Sequence, residues 1–217
     1  MIYWLTRTFI RVVLRCCLRM RLRGLSAAAR RGGYVLACSH VSHLDPFCLS
    51  AMLPRKIGWM ARIEFYRHPI IARLLRIVHA FPVRRQGVPV SAIRAALARL
   101  ARGEVVGVFP EGEIKTGAES VLRRGPIKRG VCLLAQRSGR PVLPCLILGT
   151  EKLNALDPWL PILRGRLWIA CGELIEPGAG LSRRAARAEM AARLETAFRQ
   201  LYAETRREFS LEDSVLP

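Results

Sequence analysis

The most reactive pair of side chains in the sequence is a histidine followed five positions later by an aspartate. His40 and Asp45 lie in the segment Ser-His-Val-Ser-His-Leu-Asp-Pro, directly after the apolar run from Val35 to Cys38. A carboxylate that accepts a hydrogen bond from one imidazole nitrogen fixes the tautomer, and the other nitrogen can then take a proton from a hydroxyl group. The spacing therefore predicts a general base for the activation of an alcohol.

The segment also sits where α/β proteins place their sites. A buried strand is predicted to end at Ser39, and Pro46 favours the first helical position while disfavouring the helical conformation at Asp45. We therefore expect Asp45 to cap a helix, with His40 and His43 in a short loop at the sheet edge. On these residues alone, a plain helix cap beside solvated histidines is the simpler explanation.

Two further strand ends add charged residues. The apolar run from Val105 to Phe109 leads into Glu111 and Gly112, and Phe81-Pro82-Val83 leads into Arg84 and Arg85. A base, a carboxylate beside flexible backbone and a doublet of fixed positive charge suit transfer to the hydroxyl of an anionic, phosphate-bearing molecule.

The elements that must position these residues follow from the apolar pattern. Short apolar runs alternate with helical periodicity beyond Gly33, which predicts an α/β fold with a mixed, largely parallel sheet flanked by helices. Strands are predicted near 34–39, 58–61, 80–83, 105–109, 142–148 and 167–171. Helices are predicted near 46–52, 64–76, 90–102, 130–137 and 183–207, with loops at 118–128 and 152–166.

Composition narrows the function classes. The 217 residues carry 36 Lys plus Arg against 16 Asp plus Glu, a formal net charge of +20, and 51% are hydrophobic, which excludes general disorder. Only four of the basic residues are lysines, and the excess of arginine predicts a phosphate-bearing or otherwise anionic partner. Nucleic acid is not expected, because aromatic residues are 7% and no recognition motif is present. The seven cysteines lack a Cys-x-x-Cys pair and are expected to be buried thiols in a reducing compartment.

The N-terminal 23 residues combine arginine with an apolar background. Arg7, Arg11, Arg15 and Arg19 recur every fourth residue, which predicts one basic stripe on a helix. With Trp4 and an otherwise apolar surface, this favours a helix lying in the headgroup region of an anionic bilayer; the alternative is a basic helix packed on its own domain. Neither a signal peptide nor a spanning segment is predicted. We expect residues 1–31 to associate with the cytoplasmic face of a membrane, peripherally or monotopically, and residues 32–217 to form the catalytic domain.

Four blocks of the sequence resemble the glycerolipid acyltransferase family, which includes 1-acylglycerol-3-phosphate acyltransferases. Residues 39–45 resemble its His-x4-Asp block, and 80–85 are similar to its second block, with Arg85 in the arginine position. Phe-Pro-Glu-Gly at 109–112 matches the third block, and Val-Leu-Pro at 142–144 resembles the fourth. Departures are Ala80 where glycine is common, Arg84 where an acidic residue is frequent, and the segment 113–117 in place of Thr-Arg-Ser.

The resemblance implies an O-acyltransferase of phospholipid biosynthesis. His40 would be the general base and Asp45 its partner, with acyl-CoA or acyl carrier protein as the co-substrate that donates the acyl group, and no cofactor. Arg85 would bind the phosphate of a lysophospholipid, most simply 1-acylglycerol-3-phosphate, with Arg84 as a second contact. Glu111 and Gly112 would shape the acceptor site.

The same resemblance leaves other possibilities. Arg62 stands where relatives often carry lysine, so it either lines the phosphate site or lies on the surface. The acceptor could instead be another lysophospholipid or an ornithine-type lysolipid, or the chain could be a catalytically silent, membrane-bound member of the fold.

Two other chemistries use the same loop. A covalent route would need Ser39 or Ser42 as nucleophile, a role that the family resemblance assigns to neither. A metal site would combine His40, His43 and Asp45 with Glu111. We expect no metal, and His43 to be an ordinary loop residue.

Overall fold

A mixed seven-stranded sheet with helices on both faces organises the chain. The computed structural model describes residues 2–83, 90–151, 165–178, 180 and 182–211. The strands are β1 (Leu18–Arg23), β2 (Tyr34–Cys38), β3 (Ile57–Arg62), β4 (Phe81–Val83), β5 (Val105–Val108), β6 (Val142–Leu148) and β7 (Gly165–Cys171). The helices are α1 (Ile2–Cys17), α2 (Leu25–Ala28), α3 (Asp45–Met52), α4 (Pro69–Ile77), α5 (Val90–Ala101), α6 (Gly130–Ser138) and α7 (Arg183–Phe209).

The sheet is parallel except at one junction. Its strand order is β1-β7-β6-β2-β5-β3-β4, and within the described residues β6 and β7 are the only strands that pair antiparallel. Every residue of β2 and β6 is buried, as expected for central strands covered on both faces, and this explains their unbroken apolar sequences. One core lies between the sheet and α5, α6 and α7, and the other between the sheet and α1, α2 and α3.

The predicted α/β fold with a largely parallel sheet is confirmed. Five of the seven cysteines are buried and all are free thiols. The predicted helix over 64–76 is divided: a 3₁₀ turn covers Ile63–Arg67, and α4 begins at Pro69 after an extended His68. Part of the predicted loop at 118–128 forms short 3₁₀ turns, among them Val121–Arg123. Of the predicted loop at 152–166, residues 152–164 lie outside the described residues.

The predicted N-terminal helix is wrong in its last quarter. The helix ends at Cys17, and Leu18–Arg23 form β1, which pairs parallel with β7. Here Leu18, Met20 and Leu22 alternate with arginines, which is the two-residue period of a strand. Arg19 therefore belongs to the sheet and not to the helical stripe, and the sheet begins before the domain boundary expected at residue 31.

Two arginines of the predicted stripe, Arg7 and Arg11, face α3 rather than outward. The buried guanidinium of Arg7 donates to the backbone carbonyl of Leu53, and Arg11 Nε donates to the carbonyl of Ala51 over 2.9 Å. These carbonyls belong to the C-terminal turn of α3, where a helix leaves acceptors without partners and favours positive charge. The outer surface of α1 is consequently apolar: Trp4, Leu5, Phe9, Val12 and Val13 are exposed.

None of the helices in the part of the chain that the structure describes is long and apolar enough to cross a bilayer.

Candidate active site

Three adjacent strands, β6, β2 and β5, deliver the functional side chains to one edge of the sheet. These strands are parallel, so their carboxyl ends lie side by side, and they are followed respectively by Thr150, His40 and Glu111. Such an edge is where open α/β sheets bind ligands.

The predicted contact between His40 and Asp45 is present. His40 Nδ1 lies 2.9 Å from Asp45 Oδ2. Since a carboxylate only accepts hydrogen bonds, Nδ1 carries the proton and Nε2 is left with its lone pair. The imidazole is mostly buried, with 13% of its side chain exposed, and Asp45 is fully buried. This geometry provides an oriented base at the sheet edge.

Asp45 does not cap α3, contrary to the prediction from Pro46. It is the first residue of α3, and its carboxylate turns back toward the preceding loop. Asp45 Oδ2 accepts from the backbone nitrogens of Val41 and Ser42 over 2.8 and 2.9 Å. The carboxylate thus shapes the loop that carries His40, because these donors compensate its burial.

Thr150 completes the environment of Asp45. Its hydroxyl is fully buried and donates to Asp45 Oδ1 over 2.5 Å. Sequence analysis missed this residue, which lies 105 positions from Asp45. The available signal was its place directly after the apolar run of β6, equivalent to the places of His40 and Glu111 after their own strands.

An aromatic stack fixes the plane of the imidazole. The ring of His40 stacks on Phe109 with centroids 3.9 Å apart and 15° between the planes, and Phe109 stacks in turn on Trp59 at 4.9 Å. Trp59 Nε1 donates to Ser50 Oγ over 2.8 Å, which anchors the far end of the stack to α3. The base is held by its face as well as by its ring nitrogen.

The carboxylate of Glu111 accepts hydrogen bonds from the protein's own backbone. Oε2 accepts from the backbone nitrogen of His40 over 2.7 Å, and Oε1 accepts from Val121 N and Ser120 Oγ over 2.8 and 3.1 Å. Burial raises the pKa of Glu111 above its ordinary value of 4.5, and the hydrogen bonds from Val121, His40 and Ser120 offset only part of that shift. Glu111 therefore ties the His40 loop to the segment 120–121; a contact with an acceptor stays a prediction.

Gly112 allows a lysine to approach the same loop. Its φ is +76°, which favours glycine, and a Cβ there would lie 2.6 Å from Lys128 Nζ. The backbone nitrogen of Lys128 donates to Pro110 O over 2.8 Å, so the segment around Lys128 is fixed against the strand exit. An exposed lysine thus lies beside a predicted acceptor-site glycine, a placement that the sequence did not indicate.

The remaining predicted residues are less closely placed. Arg84 and Arg85 lie outside the described residues. Arg62 is exposed at the end of β3, where its Nε lies 3.7 Å from Glu64 Oε2. None of the described contacts of Arg62 reaches His40 or Asp45. Its predicted role in phosphate binding stays a prediction.

The residues of the alternative chemistries have other contacts. Ser39 Oγ accepts from Ile147 N over 3.1 Å and is directed at the β6 backbone. Ser42 Oγ accepts from Leu44 N over 3.1 Å, and His43 is exposed. Over the ranges that the structure covers, no three His, Cys, Asp or Glu side chains are grouped to hold a metal ion.

The sequence of the chain is similar to those of several known proteins. The family model named Acyltransferase matches residues 19–148. A 1-acyl-sn-glycerol-3-phosphate acyltransferase of Bacillus subtilis is 32% identical over 142 residues, which are 65% of this chain and 66% of the relative. A chloroplastic 1-acyl-sn-glycerol-3-phosphate acyltransferase of Brassica napus is 27% identical over 55% of this chain, which spans 34% of that relative.

The fold has a solved counterpart. The crystal structure of the 1-acyl-sn-glycerophosphate acyltransferase PlsC from Thermotoga maritima is similar with a TM-score of 0.66 and 19% sequence identity. The similarity covers 92% of this chain and 81% of that one. The two share the arrangement of sheet and helices.

Glu111→Gln is expected to lower the free energy of unfolding by about 1–3 kcal/mol. In either orientation of the amide, its NH2 group replaces an oxygen that accepts a backbone N–H, from His40 or from Val121. Urea unfolding of the full chain measures the loss. Glu113→Gln, an exposed carboxylate two residues away, is the matched control and should change little.

A comparison of wild type with Glu111→Gln also tests the raised pKa of Glu111. Above pH 4.5 the folded state binds more protons at this group than the unfolded state, so its contribution to stability falls as the pH rises through the folded pKa. The difference in the free energy of unfolding between wild type and Glu111→Gln should therefore become smaller as the pH increases from 4.5. A difference that widens over this window would contradict the assignment.

Proposed function

The chain belongs to the Acyltransferase family, and on that premise we propose that it transfers a fatty acyl group from a thioester to the hydroxyl of a lysophospholipid. The observation that carries the proposal is the hydrogen bond of His40 to a fully buried Asp45, which leaves Nε2 free to accept a proton. An alcohol is a poor nucleophile until its proton is removed, and a positioned imidazole contributes about 10²–10⁴ in rate.

The reaction needs one base and no acyl-enzyme intermediate. His40 Nε2 takes the proton of the acceptor hydroxyl while its oxygen attacks the thioester carbonyl carbon. The carbon–sulfur bond then breaks, and the imidazolium returns the proton to the departing thiolate. Asp45 stabilises the imidazolium during this interval. Ser39 is an unsuitable nucleophile, because its hydroxyl is engaged with the backbone of Ile147.

The acceptor is proposed to be 1-acylglycerol-3-phosphate, which gives phosphatidate. Both named relatives are 1-acyl-sn-glycerol-3-phosphate acyltransferases, which supports this choice over other lysolipids. Arg85, with Arg84 and Arg62, is proposed to bind the acceptor phosphate, and Glu111 and Gly112 to shape its site. The donor is acyl-CoA or acyl carrier protein; both are anionic, and the net charge of +20 favours their encounter.

His40→Ala is expected to lower kcat by at least about 100-fold, because the general base is lost. Mass spectrometry should detect the new diacyl product when wild type receives acyl-CoA or acyl carrier protein with a panel of lysolipids. His43→Ala is the control, since His43 is an exposed histidine of the same loop. Product from lysophosphatidate alone would support the acceptor named here, and turnover by folded His40→Ala equal to wild type would refute the mechanism.

Thr150→Val is expected to lower kcat about tenfold or more with little change in KM. The substitution removes the donor to Asp45 Oδ1, so the carboxylate orients the imidazole less well, while substrate contacts are unaffected. Thr150→Ser retains the hydroxyl and should retain most activity. Steady-state kinetics across a pH series should show an altered profile for Val and a wild-type profile for Ser; equal loss in both variants would indicate a packing role only.

We further propose that α1 and α4 hold the protein on the surface of an anionic membrane. The exposed apolar surface of α1 lies beside α4, which exposes Ile70, Ile71 and Leu74. Exposed arginines accompany this surface, namely Arg15, Arg67, Arg73 and Arg76. Apolar side chains with nearby cations are typical of helices that lie at a bilayer surface. The cytoplasmic face is proposed, because its lipids are anionic and the compartment keeps the buried thiols reduced.

Phe9→Glu is expected to reduce partition into anionic vesicles by about tenfold or more, because burial of a phenylalanine side chain contributes roughly 1.5–3 kcal/mol. Sedimentation with phosphatidylglycerol-containing vesicles measures it. Val90→Glu makes the same charge change at an exposed apolar residue of α5, on the opposite face of the sheet, and should leave binding nearly unchanged. Equal losses in the two variants would contradict a role for α1.

A further inference from the structure

A second cluster of arginines lines a pocket beside the active site. The pocket has a volume of about 600 Å³ and lies between the 3₁₀ turn Val121–Arg123 and the second half of α7. Two residues of the turn, Arg124 and three residues of α7 form its walls, which are lined by Leu122, Arg123, Arg124, Arg199, Tyr202 and Arg206. The mechanism above makes no use of these four guanidinium groups.

Glu111 connects this pocket to His40. The carboxylate accepts from the backbone nitrogen of His40 with one oxygen and from Val121 with the other. Val121 opens the turn that supplies Leu122 and Arg123 to the pocket. The pocket is therefore linked to the base through the turn at Val121 and the side chain of Glu111.

Two acidic residues in the same half of α7 are paired with a residue outside the pocket. Among the described residues, no ion pair involves Arg123, Arg124 or Arg199. The guanidinium of Arg199 donates to Thr196 Oγ1. Glu204 and Glu208 of α7 both pair with Arg23 of β1. Like charges held together in one pocket repel, so an anion bound among them would be stabilised.

The backbone at Arg124 adds a second observation. Its φ is +74°, in the left-handed region that non-glycine residues rarely occupy, and it ends the 3₁₀ turn. Glycine or asparagine would fit this position with less strain. An arginine held there, with its side chain lining the pocket, is consistent with a functional demand on the guanidinium.

The chemistry of the two substrates decides which anion fits. The reacting hydroxyl of lysophosphatidate is on the carbon next to the one that bears the phosphate, so the acceptor's phosphate must lie close to His40. The phosphates of coenzyme A are separated from its thioester by the pantetheine arm, so they must lie at a distance from the base. A pocket of about 600 Å³ lined by arginines suits the phosphates of a nucleotide, whereas a carrier protein requires a contact surface of about 800 Å².

We infer that this arginine pocket binds the nucleotide phosphates of an acyl-coenzyme A donor. The inference rests on the acyl transfer proposed above. The pantetheine arm then extends past the segment held by Glu111, and its thioester reaches the acceptor hydroxyl at His40. Acyl-coenzyme A, rather than the carrier-protein thioester, is thereby the donor that the pocket recognises.

Charge reversal in the pocket tests the inference. Arg199→Glu and Arg123→Glu should each raise the Kd of the full chain for free coenzyme A, measured by isothermal titration calorimetry, at least tenfold. In turnover assays the KM for acyl-coenzyme A should rise similarly, with kcat at saturating donor and the KM for lysophosphatidate unchanged. Arg184→Glu is the matched control: it makes the same charge change at an exposed residue of α7, about 22 Å along the helix axis from Arg199.

Each alternative has a distinct outcome. An unchanged Kd, or an equal rise in Arg184→Glu, would overturn the inference. A rise confined to the KM for acyl carrier protein would assign the pocket to that protein, and a rise in the KM for lysophosphatidate would assign it to the acceptor. Because titration with coenzyme A needs no turnover, binding without any acyl transfer would refute the proposed function while upholding the pocket.

Discussion

The burial of the Asp45 carboxylate is the constraint on which the site depends. A charge removed from water is costly unless donors replace the lost hydration. Here the donors come from the loop after β2, through Val41 and Ser42, from Thr150 after β6 and from His40 itself. The carboxylate is therefore compensated only when both strand exits and the start of α3 are in place. The same hydrogen bonds therefore orient the imidazole and hold the surrounding segments of the fold in place.

Glu111, which follows the neighbouring strand β5, is a second buried carboxylate whose hydrogen bonds hold the site. It is nearly as buried, and its three donors belong to the His40 loop and to the segment 120–121. His40 is thus held at its backbone by one carboxylate, at its ring nitrogen by another and on its face by Phe109. A base held in three ways loses little orientation entropy when it reacts, which is an advantage of preorganised sites.

The sequence predicted what depends on short-range patterns. Apolar runs indicated the central strands, and the spacing of His40 and Asp45 was short enough for their contact to follow from the loop alone. The place of Thr150 after the apolar run of β6 was visible in the sequence, but its contact with Asp45 could not be predicted this way, because that contact requires the pairing of β2 with β6. The four-residue period of Arg7 and Arg11 was equally compatible with lipid phosphates and with the end of another helix, since both present negative charge. The alternation of apolar residues with arginines at 18–23 did not indicate a strand, because it directly follows a segment with helical periodicity.

The pairing of strand β1 constrains the order in which the protein folds during synthesis. Within the described residues β1 is an edge strand that pairs with β7 alone, and β7 begins about 140 residues later in the chain. At translation rates of roughly 5–20 residues per second, the N-terminal segment leaves the ribosome on the order of ten seconds before that partner exists. During this interval the apolar side of α1 is already synthesised while the sheet is still open. Strand β1 can therefore take its place in the sheet only after β7 has been synthesised, although β1 itself leaves the ribosome well before that.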